Sequence, residues 1–438
     1  MAATARASAT SVIAPAEIWS MFRSELGRKS TIYFTALLLN AVLGVVVYGI
    51  LTRAMDVQSF GTYSFIIAFF MFSGMFFDFG VAPAGMRLMA LVDSAAAFSR
   101  RAGALLSLSA AVGLLFAVFV FAGSYAVDAW IHDGAGSVLR IVAPLAAVYP
   151  LQEMILSISQ GSSRMKLMSA YLLMPRGILI VLLIALAATG TIDVRIAVTA
   201  MLLGMAAAIG IAIGVLKPVF RGLGSEIAVI WKEVREFGRE VYLGRIVDGL
   251  MTGFDKLLLT KFHGMAVVGF YSIAMTMSTP IAMLSKAVSQ SAYKSFATED
   301  RIPRKLLMIS LLWSTIGAAV FWMACQTLIP LFFTEKYISA LSVLPWVMAG
   351  FALAGLNQPF HAFLAAHRRG RDIRIMSVTT SSINIVLNLS LIPLLAMTGA
   401  GIAFLTTYAV NIVMNLYFYR RYLGQRIDGT TGDSETHG

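Results

Sequence analysis

The chain has 438 residues, of which 58% are hydrophobic and only 13% are charged, and its mean hydropathy is +0.80. These values exclude a water-soluble enzyme of two or three domains and predict a polytopic membrane protein. The net charge of +12 does not indicate nucleic-acid binding, because the Lys and Arg residues fall in short clusters between apolar runs. An intramolecular disulfide is excluded, because Cys325 is the single cysteine.

Apolar segments long enough to cross a membrane as helices recur along the whole chain, since each crossing needs about 20 residues. Twelve of them lie near residues 31–51, 62–86, 102–122, 138–160, 169–189, 193–216, 240–262, 266–290, 306–330, 340–365, 374–395 and 398–419. We therefore predict an all-α membrane protein with twelve transmembrane helices.

The basic residues predict the orientation of these helices. If the N-terminus is cytoplasmic, 27 of the 34 Lys and Arg residues fall on the cytoplasmic side. This bias predicts that both termini are cytoplasmic. The loops on the other side are short, the longest spanning about residues 123–137, and leave no room for an external catalytic domain.

Five regions follow from this placement. They are a cytoplasmic N-terminal segment (1–30), an N-terminal six-helix bundle (31–217), a cytoplasmic amphipathic linker (218–239), a C-terminal six-helix bundle (240–420) and a cytoplasmic tail (421–438). The N-terminal segment has no apolar core, so we expect no cleaved signal peptide.

The linker has the pattern of an amphipathic helix. One helical face collects five apolar residues, Ile227, Ile230, Trp231, Val234 and Phe237. This pattern predicts a helix lying in the membrane interface, with a plain solvated linker as the alternative. The N-terminal segment carries a weaker counterpart in Ile18, Phe22 and Leu26.

A stretch of the chain occurs twice, 208 residues apart. Residues 51–64 read LTRAMDVQSFGTYS, and residues 259–272 read LTKFHGMAVVGFYS. Shorter matches in the same order precede helices 1 and 7, end helices 5 and 11, and follow helices 6 and 12. The chain is therefore predicted to consist of two six-helix halves related by a pseudo-twofold axis along the membrane normal. We expect Gly61 and Gly269 to allow a tight turn into the next helix.

Enzyme signatures are missing from the sequence. No Gly-x-x-x-x-Gly-Lys-Ser/Thr stretch exists, so we do not expect this chain to hydrolyse ATP. The histidines show no metal-ligand spacing; they are His132, His263, His361, His367 and His437. We expect no enzyme, no catalytic residue, no metal site and no cofactor.

Ionisable residues at membrane depth are the candidate functional residues, because a charge in lipid is costly and faces an interior cavity or a partner. Predicted helix 7 is the richest, with Arg245, Asp248, Asp255 and Lys256. The first three lie near one helical face. One interpretation is a static ion pair between Arg245 and Asp248. The other is that the residues of this face line a transport path.

Further candidates lie on the other predicted helices. Asp78, Arg87, Glu153 and Arg176 are charged, and Asn384 and Asn388 share one face of helix 11. A buried guanidinium such as Arg176 suits phosphate oxygens, whereas Arg87 also fits a helix end that reaches to the interface. Carboxylates such as Asp78 and Asp255 suit coupling to H+ or Na+. For the two asparagines, hydrogen bonding between helices and sugar binding both remain open.

A polar interruption occurs in predicted helix 10. Residues 355–359 read Gly-Leu-Asn-Gln-Pro within an apolar run. Because Pro359 removes a backbone donor, we expect a kink beside Asn357 and Gln358.

Ordered motifs along nearly the whole chain resemble one family. They are Phe60-Gly-Thr-Tyr63, Phe77-Asp-Phe-Gly80, Asp255-Lys-Leu-Leu258, Val268-Gly-Phe-Tyr271, Asn384-Ile-Val-Leu-Asn388 and Gly399-Ala-Gly-Ile-Ala403. This sequence resembles the Wzx-type oligosaccharide flippases, or polysaccharide biosynthesis proteins, of the superfamily that also holds the multidrug and toxin extrusion transporters and the lipid II flippases.

The resemblance implies a function. It implies movement of an undecaprenyl-pyrophosphate-linked oligosaccharide across the bacterial inner membrane for surface or exopolysaccharide synthesis, by alternating access between two bundles. A polysaccharide polymerase and chain-length proteins are the implied protein partners. The alternatives are a cation-coupled multidrug exporter of the same superfamily and a non-transporting assembly protein; a membrane polymerase is disfavoured by the short outer loops.

Overall fold

The computed structural model describes residues 25–131, 133–188, 190, 192–249, 253–296, 299–367 and 369–432. Within these ranges every regular element is helical and no strand occurs. The all-α fold of two six-helix bundles predicted from the sequence is confirmed.

The first half of the chain contains six helical passes. Its helices are α1 (Glu25–Ala54), α2 (Val57–Gly74), α3 (Val81–Ala90), α4 (Ala95–Ile131), α5 (Ala135–Ala146), α6 (Val148–Gly161), α7 (Met165–Ala187) and α8 (Val194–Leu216). The 3-10 turn Met75–Phe77 follows α2, and α2 with α3 forms the second pass. Helices α5 and α6 meet at 46° and form the fourth.

The second half follows the linker. Its helices are α9 (Leu223–Glu233), α10 (Arg239–Gly249), α11 (Phe254–His263), α12 (Met265–Ser278), α13 (Pro280–Ser291), α14 (Tyr293–Phe296), α15 (Arg304–Leu312), α16 (Ala318–Phe333), α17 (Leu344–Ala366) and α18 (Gly370–Gly432). The π-helical turns Val234–Gly238 and Trp313–Gly317 join α9 to α10 and α15 to α16, and the 3-10 helix Glu335–Ser342 precedes α17.

The described helices account for twelve passes. Seven helices are long and apolar enough to cross a membrane, and ten spans result if each of three bent pairs counts as one. Helix α18 counts once in that number, although it breaks at Ala396, where φ is +50°. A methyl group at Gly399 would overlap the carbonyl of Leu391, and Asn384 before the break donates to the hydroxyl of Thr407 after it, so the two parts of α18 pack side by side as two passes. The charged pair α10 and α11 supplies the remaining pass.

Several passes are broken where the sequence predicted continuous helices. The second pass breaks at Phe79 and Gly80, which have φ of +47° and +78°, and the seventh breaks before α11, where Gly253 has φ of +90°. Helix α17, by contrast, continues through Pro359, and the sharp bend of that pass, 58°, lies at its beginning. The kink expected beside Asn357 is therefore not the break of this pass.

Two faces of the molecule follow from the passes. We call the face at which α1 begins and α18 ends the terminal face, and the face at which α1 ends and α2 begins the opposite face. The largest apolar core cluster joins both halves. It includes Leu51 and Phe60 of the first half together with Tyr271 and Tyr337 of the second, so the halves share a core near the opposite face.

The linker helix α9 packs on the first half. Ile230 and Val234 belong to the apolar cluster of α3, α4 and α6. Glu226 pairs with Arg101 at 3.1 Å, and Glu233 pairs with Arg87. The apolar face predicted to enter the membrane interface is thus largely covered by protein. Of the weaker N-terminal counterpart, Ile18 and Phe22 lie outside the described residues, and Leu26 lies in the first turn of α1.

Candidate translocation path

The two glycines of the repeated stretch lie where the halves meet. Gly61 and Gly269 are inside α2 and α12 with ordinary helical backbone, so the expected tight turns are wrong. A methyl group at Gly61 would overlap the carbonyl of Met265. One at Gly269 would lie 3.2 Å from Cδ1 of Phe60. The glycines instead let α2 and α12 approach closely at the opposite face.

Aromatic rings fill the space around this contact. Phe60 packs edge-on against Tyr48 and Tyr337, with centroids 5.1 and 5.6 Å apart. Phe270 packs against Tyr337 at 6.0 Å. Because the rings come from both halves and Phe60 and Tyr337 are fully buried, the opposite face is sealed by packed side chains.

The bases of the repeated Leu-Thr-base motif each reach the other half. Arg53 at the end of α1 donates from Nη2 to the carbonyl of Leu331 in α16, 2.7 Å away. Lys261 of α11 donates from Nζ to the carbonyl of Trp130 in α4, 2.9 Å away. In the first contact the base comes from the first half and the carbonyl from the second, and in the other contact the origins are reversed. We call these two contacts the reciprocal latches; both join the halves at the opposite face.

The turn between these elements carries one helix cap. Asp56 precedes α2 and accepts the backbone N–H of Ser59 at 2.9 Å and its hydroxyl at 2.9 Å. The backbone N–H of Ser59 lowers the pKa of the Asp56 carboxyl, because it stabilises the charged form. The entry of α2 into the sealed region is thereby fixed.

A cavity of about 410 Å³ separates the halves toward the terminal face, and we call it the cleft. Its walls come from α1 and α7 on one side and from α13, α17 and α18 on the other. Most wall residues are apolar, and the polar ones are Tyr33, Ser163, Thr279, Lys286, Gln290, Gln358 and Tyr408. Among the residues that line the cleft, Lys286 is the one whose side chain carries an ammonium group.

A second cavity of about 380 Å³ contains an ion-paired triad. Arg245 of α10 lies 3.4 Å from Oδ2 of Asp78 and 3.7 Å from Oε2 of Glu153. Asp78 and Glu153 belong to the first half, so the ion pairs of Arg245 bridge the two halves. Neither interpretation of helix 7 from the sequence included such a bridge. The side chain of Asp248 lies outside the described residues.

The break in the second pass places Asp78. Its Oδ1 accepts the backbone N–H of Ala82 at 3.0 Å in the first turn of α3. Next to it, the hydroxyl of Tyr242 in α10 donates to the carbonyl of Phe76 at 2.8 Å. The carboxylate therefore caps a helix and binds Arg245 at the same time.

Asp255 is buried at the start of α11. Its Oδ2 accepts the hydroxyl of Tyr271 at 2.7 Å, and its Oδ1 accepts the backbone N–H of Lys256 at 2.8 Å. The matching tyrosine of the first half, Tyr63, contacts only the sulfur of Met201, at 3.8 Å, among its described hydrogen bonds. The two halves therefore differ at this position, because the hydroxyl of Tyr271 has a buried carboxylate partner and that of Tyr63 has a methionine sulfur.

The two remaining arginine candidates lie outside the residues that line the cleft and the triad cavity. Arg176 of α7 donates to the backbone carbonyl of Asn40 in α1, and its Nη1 faces the space left by Gly44. Arg87 pairs with Glu233, and its guanidinium lies over the ring of Phe237.

The asparagines of α18 join its two parts. Asn388 donates to Oδ1 of Asn384 at 2.9 Å, and Asn384 donates to the hydroxyl of Thr407 at 3.0 Å. Both side chains are buried, and neither lines the two cavities described above. This arrangement is the hydrogen bonding between helices that the sequence left as one of two interpretations.

Lys286 is not among the residues that the sequence predicts for the transport path. It lies near the end of the predicted eighth helix, residues 266–290, where it counts as a base of the cytoplasmic side. A base preceded by the apolar run 280–284 was the available signal.

Among the described residues, no group of His, Cys, Asp and Glu could hold a metal ion.

Comparisons with known proteins identify a matching family. The model of the family described as polysaccharide biosynthesis protein matches residues 26–297, more than half of the chain. A comparison with curated proteins finds no match.

Solved structures of transporters superimpose on nearly the whole chain. A multidrug resistance MATE family transporter of the MOP superfamily gives a TM-score of 0.63 in its inward-facing conformation, at 16% identity over 87% of this chain and 95% of that chain. An outward-facing structure of such a transporter gives 0.64, at 14% identity over 93% and 98%. The lipid II flippase MurJ, inward closed, gives 0.63, at 12% identity over 89% and 87%.

Proposed function

The chain belongs to the polysaccharide biosynthesis protein family, and from this premise we propose that it is a flippase for an undecaprenyl-pyrophosphate-linked oligosaccharide. The proposed protein lies in the bacterial inner membrane with both termini cytoplasmic. It moves its substrate to the periplasmic leaflet for surface or exopolysaccharide synthesis without hydrolysing ATP. Coupling to a gradient of H+ or Na+ and association with a polysaccharide polymerase and chain-length proteins are parts of the same proposal.

The composition of the cleft carries this proposal. A prenyl-pyrophosphate-linked sugar has an apolar tail, a multiply charged linkage and hydroxyl groups. The cleft offers an apolar wall of α1 beside the exposed ammonium group of Lys286 and the amides of Gln290 and Gln358. An ammonium group is a suitable point charge for phosphate oxygens, and amides suit sugar hydroxyls.

The closure of one face supports alternating access as the mechanism. The cleft lies toward the terminal face, whereas the glycine contact, the aromatic rings and the reciprocal latches close the opposite face. If the terminal face is cytoplasmic, this is the state that would accept substrate from the inner leaflet. Rocking of the halves would then break the latches and expose the cleft on the other side.

Substitution of Lys286 tests the proposal directly. The protein is reconstituted in vesicles with a fluorescent prenyl-pyrophosphate-linked disaccharide, and a membrane-impermeant quencher reports its movement between leaflets. We expect Lys286→Gln to weaken binding about 10-fold to 100-fold, because a charge-assisted hydrogen bond to phosphate is lost. Lys286→Arg should retain most of the activity.

Lys336→Gln is the matched control, because it removes an exposed base of the opposite face that does not line the cleft. Its rate should equal that of the wild type. A wild-type protein that moves a lipophilic cation but not the pyrophosphate probe would overturn the proposed function. A wild-type protein that moves the probe with Lys286→Gln unchanged would overturn the assignment of Lys286.

A further inference from the structure

A basic and aromatic surface remains exposed at the terminal face of the first half. We call it the linker surface, and it consists of Lys217, Phe220, Arg221, Trp231, Lys232 and Arg235. All six residues belong to the consecutive segment that runs from the end of α8 into the π-helical turn Val234–Gly238. None of them lines the cleft or the triad cavity.

The inner side of the same segment packs against the first half of the chain. The N–H of Val219 donates to the carbonyl of Ser99 at 2.8 Å, and Ile230 and Val234 are buried against the first half. Glu226 and Glu233 of α9 face Arg101 and Arg87. The acids of the linker helix α9 are therefore directed inward, and its exposed outer side carries Trp231 and Lys232 beside Val229.

The charges of the outer side are unbalanced. Lys232 lies 4.0 Å from Glu236, an exposed pair worth little. Lys217, Arg221 and Arg235 have no acidic partner among the described residues. The surface thus presents three unneutralised bases within one short segment, and a binding partner would need negative charge.

The position of the segment defines the kind of partner. Helix α8 is an apolar span that ends at Leu216, so Lys217 and Phe220 follow it at the depth where hydrocarbon gives way to water. Phe220 and Trp231 are 53% and 46% exposed. Aromatic side chains at this depth, beside Lys and Arg, are typical of contact with lipid headgroups.

We propose that the linker surface binds the headgroups of anionic phospholipids in the leaflet at the terminal face. The phosphates would contact Lys217, Arg221 and Arg235, while Phe220 and Trp231 would lie among the acyl-chain ends. Because the segment joins the two halves, bound lipid would hold α9 against the first half. The proposal does not depend on the substrate of the flippase.

The test uses the full chain purified in a neutral detergent. Phosphatidylglycerol or phosphatidylcholine is added, and native mass spectrometry counts the bound lipids across a titration. We expect wild-type protein to retain phosphatidylglycerol in preference to phosphatidylcholine. The triple variant Lys217→Gln, Arg221→Gln, Arg235→Gln should bind phosphatidylglycerol about 100-fold more weakly, since each base near an anionic surface contributes about 5-fold.

A second triple variant is the matched control. Arg301→Gln, Arg304→Gln, Lys305→Gln removes three exposed bases from the terminal face of the other half. Its phosphatidylglycerol affinity should stay within about 3-fold of the wild type. Equal losses in both variants would show a diffuse positive field and overturn the proposal, as would unchanged binding in the first.

One further arm separates lipid headgroups from other phosphates. Inorganic pyrophosphate is added to the phosphatidylglycerol-loaded wild type at a concentration equal to that of the lipid. Retention of the lipid supports recognition of a headgroup at an interface, because a free phosphate has no acyl chain to contact Phe220 and Trp231. Displacement by pyrophosphate at equal concentration would overturn the lipid assignment. Trp231→Ala should weaken lipid binding, whereas Trp231→Phe should largely preserve it.

Discussion

Tyr63 and Tyr271 occupy matching positions of the repeat, but their hydroxyl groups have different partners. Tyr271 donates to the buried carboxylate of Asp255 at 2.7 Å, whereas Tyr63 contacts a methionine sulfur at 3.8 Å. We expect Tyr271→Phe to lower the free energy of unfolding by about 1–3 kcal/mol, because a buried carboxylate oxygen then loses its donor. Tyr63→Phe should change it by less than about 0.5 kcal/mol. Denaturant unfolding in micelles measures both.

Asp255→Asn separates the charge from the hydrogen bond in this pair. The amide oxygen can still accept the backbone N–H of Lys256, and the amide NH2 group can donate to the Tyr271 hydroxyl, so the variant should unfold near the wild-type denaturant concentration. A loss in Tyr63→Phe as large as in Tyr271→Phe would contradict the assigned role of Asp255. Transport by Asp255→Asn then reports whether the carboxylate charge itself is needed, as the sequence analysis suggested for the residues of helix 7.

Which residues are charged at membrane depth could be predicted from the sequence, but not how they pair. Asp78, Glu153 and Arg245 were each conspicuous, because a charge within an apolar run is rare. Their contact depends on how three passes from two halves pack, and Arg245 is 167 residues from Asp78. Local spacing instead suggested Asp248 as a partner. Roles on a transport path remain a prediction for all of them.

The reciprocal latches act between elements, from α1 to α16 and from α11 to α4. Each is an exposed charge-assisted contact, worth about 1 kcal/mol. Arg53→Gln and Lys261→Gln should therefore each raise the population open at the opposite face about 5-fold, and the double variant about 30-fold, because both act on one equilibrium. Spin labels at Gln58→Cys and Glu335→Cys report the distance between the halves.

The control for the latches is Arg195→Gln, which removes an exposed base at the start of α8 on the same face. Its distance distribution should match that of the parent labelled protein. If Lys261→Gln leaves the distances unchanged while Arg53→Gln widens them, the reciprocity of the two contacts is refuted. If Arg195→Gln widens them equally, the effect is general electrostatics and not a latch.

Elements could be predicted where hydrophobicity alone determines them. The predicted span 193–216 differs by one residue from α8, Val194–Leu216, because an apolar run must be helical in lipid. Breaks within spans could not be predicted the same way. Pro359 does not interrupt α17, whereas Phe79 and Gly80 interrupt the second pass. Whether a weak position breaks depends on the neighbouring helices that satisfy its backbone groups.

At the scale of the whole molecule, the repeat explains how one face is closed. The 208-residue offset predicts the two halves, but it does not show that the repeated glycines contact each other, and a tight turn is the expectation for each of them. Related by the pseudo-twofold axis, the two stretches meet each other, and Gly61 and Gly269 face across the contact of α2 and α12. A motif repeated in both halves is thus explained by the interface between them.

Gly61→Ala should consequently shift the whole molecule away from this state. Its methyl group would overlap the backbone carbonyl of Met265, which cannot move without separating α2 from α12. The substitution Ala287→Cys in the cleft provides the readout, in a parent protein that also carries Cys325→Ser. A membrane-impermeant thiol reagent should label the introduced thiol of this parent mainly from the terminal side. In Gly61→Ala that labelling should fall at least about 5-fold, in proportion to the lost population.

Two glycine substitutions calibrate this result. Gly177→Ala adds a methyl group inside α7 with nothing within 4 Å, so it should leave labelling unchanged. Gly269→Ala brings a methyl group to 3.2 Å of a phenylalanine ring atom, which can move, so its effect should be intermediate. Folded, monodisperse Gly61→Ala with parental labelling from the terminal side would contradict the close approach as the basis of closure. If Gly61→Ala does not fold, the ranking of Gly269→Ala above Gly177→Ala decides the question, because only the former lies at the contact between halves.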